Sequence, residues 1–105
     1  MPTDTNKQAV KSISATSLGA VAVFDVATSS IGTVQIVGTG ISGSPVVGVY
    51  ASNDGETRGT LLATLSGSTL MTPTLELACT HVIVRVDTVA GAGTWKVHGC
   101  FKSDR

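Results

Sequence analysis

Apolar and polar residues alternate along most of this chain with a period of two, while the i, i+3, i+4 recurrence of an amphipathic helix is hard to find. The clearest stretch is residues 20–26, where Ala22, Phe24 and Val26 alternate with Val21, Val23 and Asp25. A weaker strand is expected at residues 10–16, and further ones at 31–37, 46–52 and 60–65. Glycine and small polar residues separate them: a loop over 38–44, the turn Asn53-Asp54-Gly55, whose residues tolerate positive φ, and Ser66-Gly67-Ser68. A short strand at 75–78 follows Pro73, and two longer ones occupy 81–89 and 94–101. Turns every ~8–12 residues, without alternating strand–helix units, predict an all-β chain folded as a sandwich, jelly roll or small barrel.

The last two strands suggest a hairpin whose register can be argued. With residues 90–93 as its loop, Val89 sits opposite Thr94, Asp87 opposite Lys96, Arg85 opposite His98, Val86 opposite Val97 and Val82 opposite Phe101. One face then carries Val82, Val84, Val86, Trp95, Val97 and Phe101, and the other His81, Arg85, Asp87, Lys96 and His98. Apolar and polar positions separate cleanly, with opposite charges facing across the strands. A tighter loop would set Arg85 against Lys96, a repulsive pairing.

Composition narrows the function classes. At 105 residues the chain has room for one domain, read as a β-sandwich over residues 10–105 preceded by an N-terminal segment, 1–9. That polar segment is expected either to be an arm that orders on a neighbouring subunit by strand addition or to be a frayed terminus. It lacks the apolar centre of a secretion signal. Charged residues are 13% of the chain, about half of the usual ~25%, and apolar residues are 42%. That balance is wrong for a disordered tail. Zero net charge removes the basic field on which nucleic-acid binding depends. No run of ~18 apolar residues marks a membrane span. Two cysteines are too few for a disulfide framework, and free thiols fit a chain made in a reducing cytosol.

Motifs that promise chemistry give way to simpler readings. Gly38-Thr39-Gly40-Ile41-Ser42-Gly43 matches G-x-G-x-x-G after a strand. A dinucleotide site needs a helix next, and Ser44-Pro45 followed by another strand supplies none. Cys79, His81, His98 and Cys100 are zinc-ligand types at Cys-x-His and His-x-Cys spacing. In the expected register Cys100 faces Ile83, which leaves Cys79 about 13 Å away at ~3.3 Å per residue. Ligands at ~2.0–2.3 Å from one metal cannot span that distance, nor can a disulfide. Asn53-Asp54-Gly55-Glu56 offers two carboxylates where calcium takes about six to eight oxygens, so a turn is the better reading. No G-x-S-x-G elbow or other constellation defines a reaction class, and no catalytic, cofactor or metal residue is assigned. The chain reads as non-enzymatic. Four aromatics (Phe24, Tyr50, Trp95 and Phe101) are few for a sugar-stacking or single-strand platform, and Trp95 and Phe101 fall on the expected core face.

From about Ile31 to Cys100 the order of features resembles that of small tailed-phage virion proteins. The matching residues are Thr33-Val34-Gln35-Ile36-Val37-Gly38, Ser42-Gly43-Ser44, Val49-Tyr50-Ala51-Ser52-Asn53-Asp54-Gly55, Leu61-Leu62-Ala63-Thr64-Leu65 and the closing Val82-Ile83-Val84-Arg85-Val86 and Gly93-Thr94-Trp95-Lys96-Val97. Many members place an aromatic shortly after the Ser-Asn-Asp-Gly turn, where this chain has Glu56-Thr57-Arg58, so the subfamily stays open. The resemblance implies a jelly-roll-like antiparallel β-sandwich of about seven to eight short strands. It also implies a role in the virion: a capsid decoration (cement) protein on the outside of the head shell, bound to the major capsid protein, or a tail, neck or fibre component. A carbohydrate- or host-surface-binding module is the alternative from another class. Self-association as a dimer or trimer fits residues 20–26 and 31–37, which carry one charge, Asp25, and are expected to be edges covered by neighbours.

Overall fold

The computed structural model describes residues 6–27, 29–66, 69–72, 75–77 and 79–102. Nine strands form among them: β1 (Asn6–Ser14), β2 (Val21–Asp25), β3 (Ile31–Ser42), β4 (Val46–Ser52), β5 (Leu61–Ser66), β6 (Thr69–Met71), β7 (Leu75–Glu76), β8 (His81–Thr88) and β9 (Ala92–Lys102). They build two antiparallel sheets, one in the order β1-β9-β3-β6 with β7 also on β3, the other in the order β2-β8-β4-β5. β6 lies beside Gln35–Val37 and β7 beside Ile31 and Gly32, so they are two pieces of one interrupted edge. Counted that way the molecule is an eight-stranded jelly roll, the all-β sandwich expected from the alternation. Among the described residues, β4 and β5 are the one pair of consecutive strands joined in a ladder. Among the described residues no helix is long and apolar enough to cross a membrane.

The sheets meet through the rows that alternation picks out. Val34, Ile36, Val47, Val49, Val82, Val84, Val86, Trp95, Val97 and Phe101 are each at most 1% exposed. β-Branched residues dominate because two branches at Cβ fit a pleated, buried surface. Phe24 and Phe101 meet across the sandwich at 5.5 Å between centroids, tilted by 53°, within the range of separations that aromatic pairs prefer. Room for the Phe101 ring comes from glycines. Gly32 stands opposite it on β3, and a Cβ on Gly99 would lie 2.5 Å from Phe101 Cε2 and 3.1 Å from Phe24 Cε1.

Four expectations change. The closing hairpin does not form: β8 pairs with β2 and β4, and β9 with β1 and β3. Residues 89–91 cross from one sheet to the other, so Val82, Val84 and Val86 face Trp95, Val97 and Phe101 across the core. The face assignment holds although the pairing does not, because facing strands and paired strands both turn their apolar rows inward. The loop expected over 38–44 is mostly strand. β3 runs on to Ser42 with its register to β9 shifted between Thr39 and Ser42, and Gly40 takes φ 68° there, as a bulge allows. Residues 31–37 are no edge, since β9 lies on one side of them and β6 and β7 on the other. Residues 6–9, grouped with the N-terminal segment above, begin β1 and pair with residues 99–102 of β9, while residues 1–5 of that segment lie outside the described residues. The short strand expected at 75–78 is Leu75–Glu76, Ala78 lying outside the described residues; so do Gly67 and Ser68 of the expected loop.

Candidate interaction surface

One end of the sandwich is built from the connections 15–20, 43–45 and 89–91, and backbone hydrogen bonds lock them together. Ala15 N–H donates to Gly93 C=O (3.2 Å), Ala90 N–H to Ala15 C=O (2.8 Å) and Gly91 N–H to Ser42 C=O (2.9 Å). Gly19 N–H donates to Val86 C=O (3.0 Å) at φ 80°, a left-handed conformation that glycine adopts without a Cβ clash. Ala15 and Ala90 are buried beneath these loops, while Leu18 is 68% exposed and Val89 40%, with Val21 of the adjoining β2 at 47%. None of the three connections contains an ionisable residue. The cation beside them is Arg85, whose Nη2 lies 3.3 Å from where a Cβ on Gly19 would be. The tip is thus ordered, uncharged and partly apolar.

The opposite end is polar and carries Asp54. Its carboxylate accepts hydrogen bonds from the Ser52 hydroxyl (2.9 Å) and from the N–H groups of Glu56 (2.8 Å) and Thr57 (2.7 Å). The Thr57 and Glu56 amides, then the Thr57 and Ser52 side chains, hold its pKa well below the usual carboxylate range. Thr80 N–H donates to Asn53 Oδ1 (3.2 Å), tying this loop to the start of β8. An open cavity of about 450 Å³ beside it is lined by Ala51, Ser52, Asn53, Asp54, Thr60 and Cys79. The expected tight turn is therefore present, and the carboxylate is spent on its own backbone.

The outer face of the four-stranded sheet carries a charge cluster that joins Arg85 and Asp87 to Tyr50 and Arg58. Tyr50 donates its hydroxyl to Asp87 Oδ2 (2.5 Å), Arg85 Nη1 lies 2.7 Å from Asp87 Oδ1, and Arg58 Nη1 lies 3.8 Å from the same oxygen. The Arg58 guanidinium also stacks 5.2 Å over the Tyr50 ring. The hydrogen bond to Asp87, then partial burial and the carboxylate charge, raise the pKa of Tyr50, against a smaller opposing effect of Arg58. Gly48 makes the arrangement possible, because a Cβ there would overlap the Asp87 carboxylate and lie 2.6 Å from Tyr50 Cε1. The sequence signal was available: Gly48 and Tyr50 on one strand, Arg85 and Asp87 on another, each pair two residues apart and so on one face.

The other singled-out residues are dispersed. Cys79 and His81 stand at the start of β8, where the Thr80 hydroxyl meets His81 Nδ1 at 2.8 Å. His98 and Cys100 lie on β9 in the other sheet, on the row that alternates with buried Val97, Gly99 and Phe101. The body of the sandwich, rather than an offset along one hairpin, separates the two pairs. Both cysteines are free, Cys100 exposed and Cys79 half-buried. Among the described residues no three His, Cys, Asp or Glu side chains gather as a metal requires. Lys96 faces Ser12 and Val37, and His98 faces Val10 and Gln35, rather than the partners expected on β8.

No family model and no curated protein matches this chain. Solved structures do. The SPBc2 prophage-derived protein YomS is 18% identical, with a TM-score of 0.60 over 94% of this chain and 96% of that one. A Bacillus endospore appendage protein, from a family described as disulfide-linked pili, is 15% identical, with a TM-score of 0.54 over 97% of this chain and 90% of that one. At these identities what is shared is the fold.

Proposed function

We propose that this chain is a structural subunit of a bacteriophage particle, acting by association and with no reaction of its own. Within the particle it serves as a capsid decoration, or cement, protein: made in the bacterial cytoplasm, bound to the major capsid protein and carried on the outside of the head. The observation that carries the reading is the uncharged tip, where Leu18 and Val89 stand exposed on loops fixed by their own backbone hydrogen bonds. The prophage origin of one structural neighbour supports it. The molecule measures 24 by 18 Å across its short axes, too narrow an end to supply by itself the ~800 Å² per partner of a stable interface. A single contact there is weak. Repeated by capsid symmetry and joined to side contacts, it holds through avidity.

A tail or fibre position is the second reading, favoured by the neighbour described as a pilus component. A carbohydrate-binding module is disfavoured, because Phe24, Trp95 and Phe101 are buried and the Tyr50 ring lies under Arg58. The test adds purified protein to empty shells of the major capsid protein encoded with it. Stoichiometric binding and a higher rupture temperature are expected, and Leu18→Ser should lose binding while melting as the parent does. A chain that binds no shell would end the cement reading.

A further inference from the structure

The four-stranded sheet ends in β2 on one side and β5 on the other, and these two edges differ from those of the companion sheet. β1 carries Lys11, whose ammonium lies 5.8 Å over the Phe24 ring at the open side of the sandwich. On the far side the edge is broken into β6 and β7, of three and two residues. Inward charges, prolines and short strands are the devices that keep edges from pairing. β5 (Leu61–Ser66) has no charge and no proline, and β2 (Val21–Asp25) has Asp25 alone.

Backbone direction shows what each edge presents. Val86 N–H donates to Ala20 C=O and Val26 N–H to Thr80 C=O. Between those bonds Ala22 and Phe24 exchange hydrogen bonds with Val84 and Val82, and the N–H and C=O groups of Val21 and Val23 point away from the sheet. The same alternation carried through β8 and β4 turns Val47 and Val49 toward β5. Ala51, which donates to Thr60 C=O, confirms that phase. Ala63 and Leu65 therefore face β4, and Thr64 and Ser66 point outward. The two outward rows match. β2 and β4 run one way, β8 and β5 the other, so β5 of a second copy laid beside β2 is antiparallel to it. Val21 then opposes Ser66 and Val23 opposes Thr64, all on the outer face, while Ala22 meets Leu65 on the core face.

We propose that copies of this chain join head to tail by this pairing, β2 of one against β5 of the next, so that the four-stranded sheet continues from subunit to subunit. One contact covers both unguarded edges. A two-fold β2–β2 pairing, or capture of a foreign strand, would cover one and leave the other open. A head-to-tail contact closes into a ring, such as a trimer, or continues as a file, according to the rotation it imposes. Main-chain hydrogen bonds supply the affinity.

Sedimentation of the purified chain at about 1 mM, where a millimolar contact is occupied in over a third of the chains, should give a weight-average mass well above the 10.6 kDa of one chain. Val21→Pro and Thr64→Pro each remove an outward N–H and keep every bond to the parent sheet, so each should sediment as a monomer. Mixed in equal amounts they should form a dimer and nothing larger, through the one intact β5 and the one intact β2. If a proline unfolds the chain, Val23→Lys and Thr64→Lys set a cation in the same two edges and take its place. A strictly monomeric parent chain would overturn the proposal. So would a Thr64→Pro chain that still dimerises, as a two-fold β2 contact demands, or a mixture that stays monomeric.

Discussion

Gly48→Ala tests whether the Tyr50–Asp87–Arg85 cluster is held by the absence of one methyl group. A Cβ at position 48 collides with the Asp87 carboxylate and with the Tyr50 ring, whose Cε1 and Cζ lie 2.6 and 2.8 Å away. The carboxylate must leave, and the Tyr50 hydroxyl loses a charged acceptor at 2.5 Å. Hydrogen bonds to charged groups contribute about 1.5–3 kcal/mol, and the open face argues for the lower end. The Arg85–Asp87 pair has side chains 26% and 23% exposed and adds at most about 1 kcal/mol. Against this, alanine in place of a strand glycine gains about 0.5–1 kcal/mol. The net expectation is a loss of about 1–2 kcal/mol, against a gain if the cluster did not matter. Urea unfolding of the parent, Gly48→Ala, Tyr50→Phe and the double variant measures it. Because both changes break one interaction, Tyr50→Phe should cost little in the Gly48→Ala background. A Gly48→Ala protein as stable as the parent, or two fully additive losses, would refute the reasoning. The pH dependence has a fixed sign. Folding raises the pKa of Tyr50, so its contribution is complete below the ordinary tyrosine value of about 10 and is lost as pH rises through the raised value.

Gly99→Ala should destabilise by about 1–3 kcal/mol through overpacking against Phe101 and Phe24, lowering the urea midpoint, and Phe101→Leu should restore part of the loss in the double variant. Asp54 should titrate below the ordinary aspartate range in an NMR pH series. Its folded pKa is depressed, so its support of the Glu56 and Thr57 amides is complete above the unfolded value of about 3.9 and fades as pH falls through the depressed one. A midpoint at the ordinary value would contradict the turn.

The faces of the strands were legible in the sequence because alternation at period two depends on nearest neighbours along the chain. Ala22, Phe24, Val26, Val82, Val84 and Val86 all lie where that alternation puts them. Pairing was not legible, since an apolar row looks the same whether its partner lies beside it or across the core. The Asp87–Lys96 match that supported the hairpin was incidental; Asp87 finds Arg85 two residues away on its own strand. Gly38 and Gly40 read as a loop because glycine serves loops and bulges alike. Tyr50 reads in the sequence only as a stacking surface, because its contact with Asp87 depends on β4 and β8 being neighbours, a fact about the sheet order.

β8 lies between β2 and β4, and β9 between β1 and β3, so the two described strands that come latest in the sequence are central ones in both sheets. Until His81 and the residues after it have left the ribosome, β1 and β2 have no strand to pair with. Neither sheet can close on the nascent chain, and the fold must assemble after synthesis has passed Lys102, from contacts far apart in sequence, which are slow to form. Loss of β9 by truncation would leave β1 and β3 as two separated edges, a species prone to aggregate rather than a smaller version of the same fold.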